Sequence, residues 1–203
     1  MGFCIECAAP LERAIPEGDD RLRDVCTACG YVHYVNPKIV TGCILMHEDR
    51  VLLCRRAIEP ASGKWTFPAG FLEVEESQAE GAKRETWEES GVNVEVTAPH
   101  AFLDIPHISQ TYTVFRGNLI DSSGTPGHET SEIAYFALDE IPWEEISFPV
   151  VAMALRLFVD DEQNDRQCVH TGVMRWRGTG SRYDVREYDL KRHVALEVRR
   201  PGD

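Results

Sequence analysis

Residues 70–92 read GFLEVEESQAEGAKRETWEESGV, and this stretch decides the fold class. Ser77, with Glu80 three residues on, is a capping box, the reciprocal pairing that starts a helix. Gly91 supplies the stop, because glycine tolerates the left-handed conformation that closes a helix. Residues three and four apart share a helix face. Glu85, Glu88 and Glu89 therefore project together, whereas Ala79, Ala82 and Thr86 form a smaller face suited to packing on a sheet. A lone acidic run is usually a solvated face. Here the carboxylates are dense enough to repel one another unless cations sit on them, and hard oxygen donors suit Mg²⁺ or Mn²⁺. Arg84, eight residues after Glu76, can hydrogen-bond it across the preceding turn. Gly70 permits a positive φ or a close approach of the chain to a phosphate.

Working outward, residues 39–46 (IVTGCILM) and 51–56 (VLLCRR) read as strands joined by a hairpin turn at 47–50. Further strands are expected at 92–96, 112–119 and 133–138, with 121–130, rich in Ser, Gly and Pro, as a surface loop. Ser147 and Pro149 announce a last helix over 148–159, whose Val151, Leu155 and Phe158 should pack on the core. Residues 160–167 read as a polar linker. Residues 170–203 carry eight Lys/Arg against five Asp/Glu, with short strands at 175–177 and 194–198 that pair with the sheet or with a partner.

Upstream lies Cys4-x2-Cys7, eighteen intervening residues, then Cys26-x2-Cys29. Two such knuckles close a tetrahedron around zinc and leave it no open position, so the metal's role is structural. It substitutes for a core that so short a unit cannot build. The domain plan is therefore a zinc ribbon over 1–36, a catalytic domain over 37–160 and a C-terminal extension over 161–203.

The chain of 203 residues carries 21 Lys+Arg against 34 Asp+Glu, a net charge of −13. Such a surface repels nucleic acid and anionic membranes, so a phosphate substrate needs metal or local basic residues to approach. No apolar run approaches the ~20 residues that span a bilayer. Seven cysteines, an odd number, without a visible secretory signal argue against a disulfide framework and for a reducing cytoplasm.

Written as Gly70-x5-Glu76-x7-Arg84-Glu85-x2-Glu88-Glu89-x-Gly91-Val92, the opening stretch resembles the Nudix hydrolase signature, with Thr86 in a slot usually filled by a bulky aliphatic. The resemblance implies an α/β fold, an α/β/α sandwich with a mixed sheet. It also implies hydrolysis of a nucleoside diphosphate linked to another moiety, using two or three divalent cations. Carried over, Glu85, Glu88 and Glu89 become metal ligands, with the carbonyl of Ala69 a further one, and Gly70, Glu76 and Arg84 support them. Glu88 or Glu89 assists as base. A further catalytic carboxylate is expected from HETSEIAYF, where Glu129 is favoured and Glu132 is left as a substrate contact. The ribbon, then Tyr34-x-Asn36-Pro37-Lys38, then this box resembles the NADH pyrophosphatase branch and its zinc-ribbon relatives acting on FAD and ADP-ribose, over residues 1–159. The Ser-Gln-Pro-Trp-Pro-Phe-Pro-x-Ser motif of NADH pyrophosphatases is absent, with Ser147-Phe148-Pro149 the nearest match, which favours a broader dinucleotide or ADP-sugar substrate.

A base or flavin ring needs an aromatic slot, for which Trp65, Phe67 and Phe71 are candidates. Arg55 and Arg56 face opposite sides of a strand, and Arg56 is favoured for substrate. His107 reads as a surface or capping residue. The expected activity is cleavage of FAD, ADP-ribose or NAD(H) to two monophosphates. A second reading is a nucleotide-sensing regulator whose ribbon binds nucleic acid. Its Arg13, Arg21 and Arg23 stand among five Asp/Glu within 11–24, where a phosphate-tracking surface wants a basic stripe. A third keeps the enzyme and takes the NAD cap of RNA as substrate. The expected partner is a small nucleotide, with nucleic acid disfavoured, no membrane, and a homodimer left open through the tail.

Overall fold

The paired cysteines draw their segment into three short antiparallel strands, β1 (Leu11–Ala14), β2 (Arg23–Cys26) and β3 (Val32–His33). The computed structural model describes residues 2–121 and 123–198. Met1, Ser122 and 199–203, which belong to the expected ribbon, loop and extension, lie outside the described residues. The chain divides into two compact units between Pro37 and Lys38.

In the second unit, β4 (Lys38–His47) and β5 (Arg50–Arg56) form the expected hairpin. Glu48 and Asp49 both take positive φ, 47° and 62°, the turn whose twist matches its flanking strands. Then come β6 (Trp65–Thr66), β7 (Ala69–Phe71), α1 (Gln78–Ser90), β8 (Asn93–Ile105), β9 (Gln110–Asp121) and β10 (Thr130–Ala137). The chain continues with α2 (Pro149–Gln163), β11 (Cys168–Trp176) and β12 (Tyr188–Glu197). Among the described residues the strands join in one mixed sheet in the order β10-β5-β4-β9-β8-β11-β12, with β6 on β5 and β7 on β4. β4 runs parallel to β9, and β8 parallel to β11.

Alternation along β4 assigns the two faces. Cys43 and Leu45 join Ala82 of α1, Leu52, Val92 and Val94 in one cluster. Ile44 points the other way, into a larger cluster with Phe67, Leu103 and Val151, Leu155 and Phe158 of α2. This is the expected α/β/α sandwich. Burying a side chain such as Leu155 or Phe158 contributes about 1.5–3 kcal/mol each. Cys43, Cys54 and Cys168 are buried, Cys43 and Cys54 as apolar members of the α1-side core.

Two expectations fail at the C-terminal side. Residues 160–167 do not form a linker: α2 runs on to Gln163, and Asp161 is fully buried. Its Oδ2 accepts from Arg116 Nη2 at 2.6 Å, Cys168 N at 3.0 Å and His170 Nε2 at 3.2 Å, tying α2 to β9 and β11. A carboxylate with that many donors is stable in the core. Residues 168–197 extend the main sheet with two long strands in place of two short ones. Among the described residues, no helix is long and apolar enough to cross a membrane.

Candidate active site

The capping box closes as expected: Ser77 Oγ accepts from Glu80 N at 3.3 Å, and Glu80 Oε2 accepts from Ser77 N at 2.8 Å. At the far end Gly91 adopts φ 68° and its N–H donates to Trp87 O at 2.8 Å. Ala82 and Thr86 are fully buried, and the Thr86 hydroxyl donates to Ala82 O at 2.7 Å. A threonine thus fills the aliphatic slot without orphaning its oxygen.

Arg84 organises the acidic edge of α1. It makes two bonds to Glu76, Nε to Oε2 at 3.0 Å and Nη2 to Oε1 at 2.8 Å. Its Nη1 donates to Glu85 Oε1 at 2.8 Å and to Glu88 Oε2 at 3.2 Å, and its Nη2 to Phe71 O at 3.0 Å. Glu76 Oε1 also accepts from Glu73 N at 2.8 Å, so the loop before the helix is clamped to it. Gly70 takes an ordinary φ. A Cβ there would stand 2.3 Å from the Glu85 carboxylate, so the close approach is to that side chain.

Glu89 is buried, and among the described residues its Oε2 has no hydrogen-bond partner. Burial, then the Glu85 charge, pushes its carboxyl up to about 8, against a pull from the Ala69 N–H and the Arg56 charge. Burial also raises Glu85, opposed by Arg84. Glu129 adds negative charge at both. It arrives on a loop fixed by Gly127 N–H to Glu89 O at 3.1 Å and by Ala57 N–H to the carbonyl of Glu129 at 2.8 Å. An orphaned buried carboxylate oxygen within a set of hard oxygen donors fits a divalent cation.

These groups line one wall of a cleft of about 1250 Å³, whose lining also includes Ala69, Gly70, Phe71, Arg56 and His107. Two expected substrate contacts are corrected. Phe67, in the connection between β6 and β7, is fully buried in the α2-side core. Glu132 pairs with Arg55 Nη1 at 3.3 Å, outside the cleft lining. Trp65 is likewise in the core, edge-on to Phe136. Phe71 is 47% exposed, with the Lys38 ammonium 4.9 Å from its ring centroid.

The cleft lining also takes in Tyr112, Phe148, Arg182, Tyr183 and Tyr188, none of which the sequence marks as a site residue. One available signal was the alternation of Cys168, His170, Gly172 and Met174, all buried on one face of β11. That period carries the tail back along the sheet.

In the first unit, the sulfurs of Cys4 and Cys29, Cys7 and Cys26, and Cys7 and Cys29 lie 3.7, 3.4 and 3.5 Å apart. A tetrahedron with Zn–S of about 2.3 Å has edges of about 3.8 Å. Backbone N–H groups of Cys29 and Ala28 donate to Cys26 Sγ, both at 3.4 Å, and hold its thiol down to about 6. The four thiols fit zinc.

Comparison with known proteins agrees with both units. The family description "NUDIX domain" matches residues 36–154 and "Nudix N-terminal", a zinc ribbon, residues 2–35. The NAD-capped RNA hydrolase NudC of Chromobacterium violaceum is 38% identical over 94 residues, 45% of this chain and 33% of that protein. The putative ADP-ribose pyrophosphatase YjhB of Bacillus subtilis is 32% identical over 116 residues, 54% of each chain. This chain thus spans between a third and about half the length of these two curated relatives. A solved NUDIX hydrolase from Nitrosomonas europaea shares 43% identity at a TM-score of 0.83, covering 85% of this chain and 98% of that one. The ribbon, the sandwich and the glutamate-bearing helix with its clamping arginine together make this chain a member of the Nudix hydrolase family, of the kind that carries an N-terminal zinc ribbon.

Proposed function

We propose that this protein is a pyrophosphohydrolase that cleaves the diphosphate of a nucleoside diphosphate-X substrate, FAD, ADP-ribose or NAD(H), to two monophosphates. The observation that carries the reading is the unpartnered, buried Oε2 of Glu89 beside Glu85. Glu85, Glu88, Glu89 and the backbone of Ala69 would hold Mg²⁺ or Mn²⁺, and a cation held there neutralises charge developing on the diphosphate. Arg84, held by Glu76, bridges Glu85 and Glu88 and offsets the repulsion between them. Glu89 keeps its proton near neutrality while no cation faces it. Glu88, Glu89 and Glu129 are the carboxylates at hand to take a proton from the attacking water. The ribbon, 1–36, is a structural module on zinc, ahead of the catalytic domain at 37–160.

Glu88→Gln should lower kcat on ADP-ribose at least about 100-fold under either metal, with an unchanged melting temperature. Wild-type turnover by that variant would overturn the assignment. A second reading, the NAD cap of RNA as substrate, is favoured by the NudC relatives and by Arg182 at the cleft. Release of capped ends from RNA at a rate matching NADH would select it.

A further inference from the structure

The C-terminal segment lies beyond the matched NUDIX domain, yet it forms a wall of the cleft that holds the glutamates. Its route there is set by tertiary contacts. β11 pairs with β8, and β12 returns along β11, leaving residues 177–187 as the connection at that end of the sheet. The connection is anchored from inside. Tyr188 Oη donates to Arg182 O at 3.0 Å and meets His107 Nε2 at 3.3 Å. The Arg182 guanidinium lies 4.5 Å from the Trp176 ring centroid.

This anchoring presents the Tyr183 ring, 57% exposed, opposite Phe148 at the start of α2. The two centroids are 6.4 Å apart with 36° between the planes. That spacing lies within the ~4.5–7 Å of a direct aromatic pair, so Phe148 backs Tyr183. The exposed face of Tyr183 is left for a planar base to stack on. Arg56 links this pair to the glutamates. Its guanidinium lies 5.1 Å from the Phe148 centroid, and its charge is felt at Glu89. Arg56 Nε donates to Pro60 O at 2.9 Å, which fixes the head and leaves both Nη groups unbonded among the described residues. In order along the cleft come carboxylates, a guanidinium suited to a phosphate, and an aromatic pair suited to a base. The volume of about 1250 Å³ exceeds the ~300–1,000 Å³ usual for small-ligand pockets, leaving room for a second nucleoside half.

We propose that Tyr183, backed by Phe148, forms a stacking platform for a base, with Arg56 on the adjoining phosphate, and that it takes the adenylate half of the substrate. The proposal rests on the pyrophosphohydrolase reading and names the part of the substrate that this chain's own tail recognises.

The test is calorimetric binding of AMP and of ribose 5-phosphate to the full-length protein without divalent metal. It uses wild type, Tyr183→Ala and Tyr183→Phe, each checked for an unchanged melting temperature. Loss of one stacking partner should weaken AMP about tenfold in Tyr183→Ala and leave ribose 5-phosphate unchanged. Tyr183→Phe should recover AMP binding to within about twofold, because the ring does the stacking. With ADP-ribose and metal, Tyr183→Ala should raise KM more than it lowers kcat. Equal AMP affinity in wild type and Tyr183→Ala, or no AMP binding by wild type, would overturn the platform. Neither result bears on the glutamates, whose failure would appear as full turnover by Glu88→Gln.

Discussion

Gly70 stands where the chain needs a missing Cβ rather than a positive φ, and the group that fills the space, 2.3 Å from where a Cβ would stand, is the Glu85 carboxylate. Gly70→Ala should therefore displace the Glu85 carboxylate with little change in backbone preference. We expect kcat to fall at least about tenfold, a few kcal/mol at most of lost positioning, while the melting temperature moves only a few degrees. Wild-type kcat in that variant would sink this account. Most of the α1 chemistry was legible because the glutamates, Arg84 and both helix caps are local in sequence and obey a 3.6-residue period. Phe67 and Glu132 lie outside the cleft lining, because neither an aromatic ring in the connection after β6 nor a carboxylate early in β10 carries a local sign of which way it will turn.

Among the elements, the joint between α2 and β11 has a consequence for stability. His100 is fully buried on β8, its Nε2 at 3.0 Å from Ala154 O and its Nδ1 without a partner among the described residues. Burial, then the Arg116 charge, holds its pKa down to about 3 from the ordinary 6.5, against a pull upward from Ala154 O and Asp161, with His170 beside it. The unfolded chain protonates this ring near its ordinary pKa and the folded chain does not. Stability present above pH ~6.5 is therefore lost as pH falls from there toward ~3. His170, also lowered chiefly by burial, acts in the same sense. His100→Phe should flatten the fall of melting temperature between pH 6.5 and 4.5, a window above the titration of paired carboxylates. An unchanged slope would remove His100 from the account. The sequence reading of 160–167 as a linker went astray here, since a buried carboxylate such as Asp161 looks solvated until its donors on other elements are known.

For the whole molecule, the two units stand on different physics. The second has a two-sided core around a mixed sheet; the first has three short strands and four sulfurs. A unit so small cannot bury enough apolar surface to offset its chain entropy. Removing zinc should therefore unfold residues 2–36 while residues 38–198 keep their own core. Native mass spectrometry should find one zinc per chain, and its chelation should abolish hydrogen-exchange protection in the first unit. Protection that survives zinc loss would contradict a structural role for the metal.

Local patterns determined by themselves the ribbon's four thiols, the capped helix with its glutamates, the strand hairpin before it and the apolar face of α2, because each depends on residues within a few turns of one another. Only the tertiary structure decided which aromatic and basic side chains meet those glutamates. Tyr183 reaches Phe148 and the cleft lined by Arg56 through a parallel pairing of β8 with β11 and the return of β12. Contacts between residues far apart in the chain depend on sheet order and register, which no single stretch of sequence encodes.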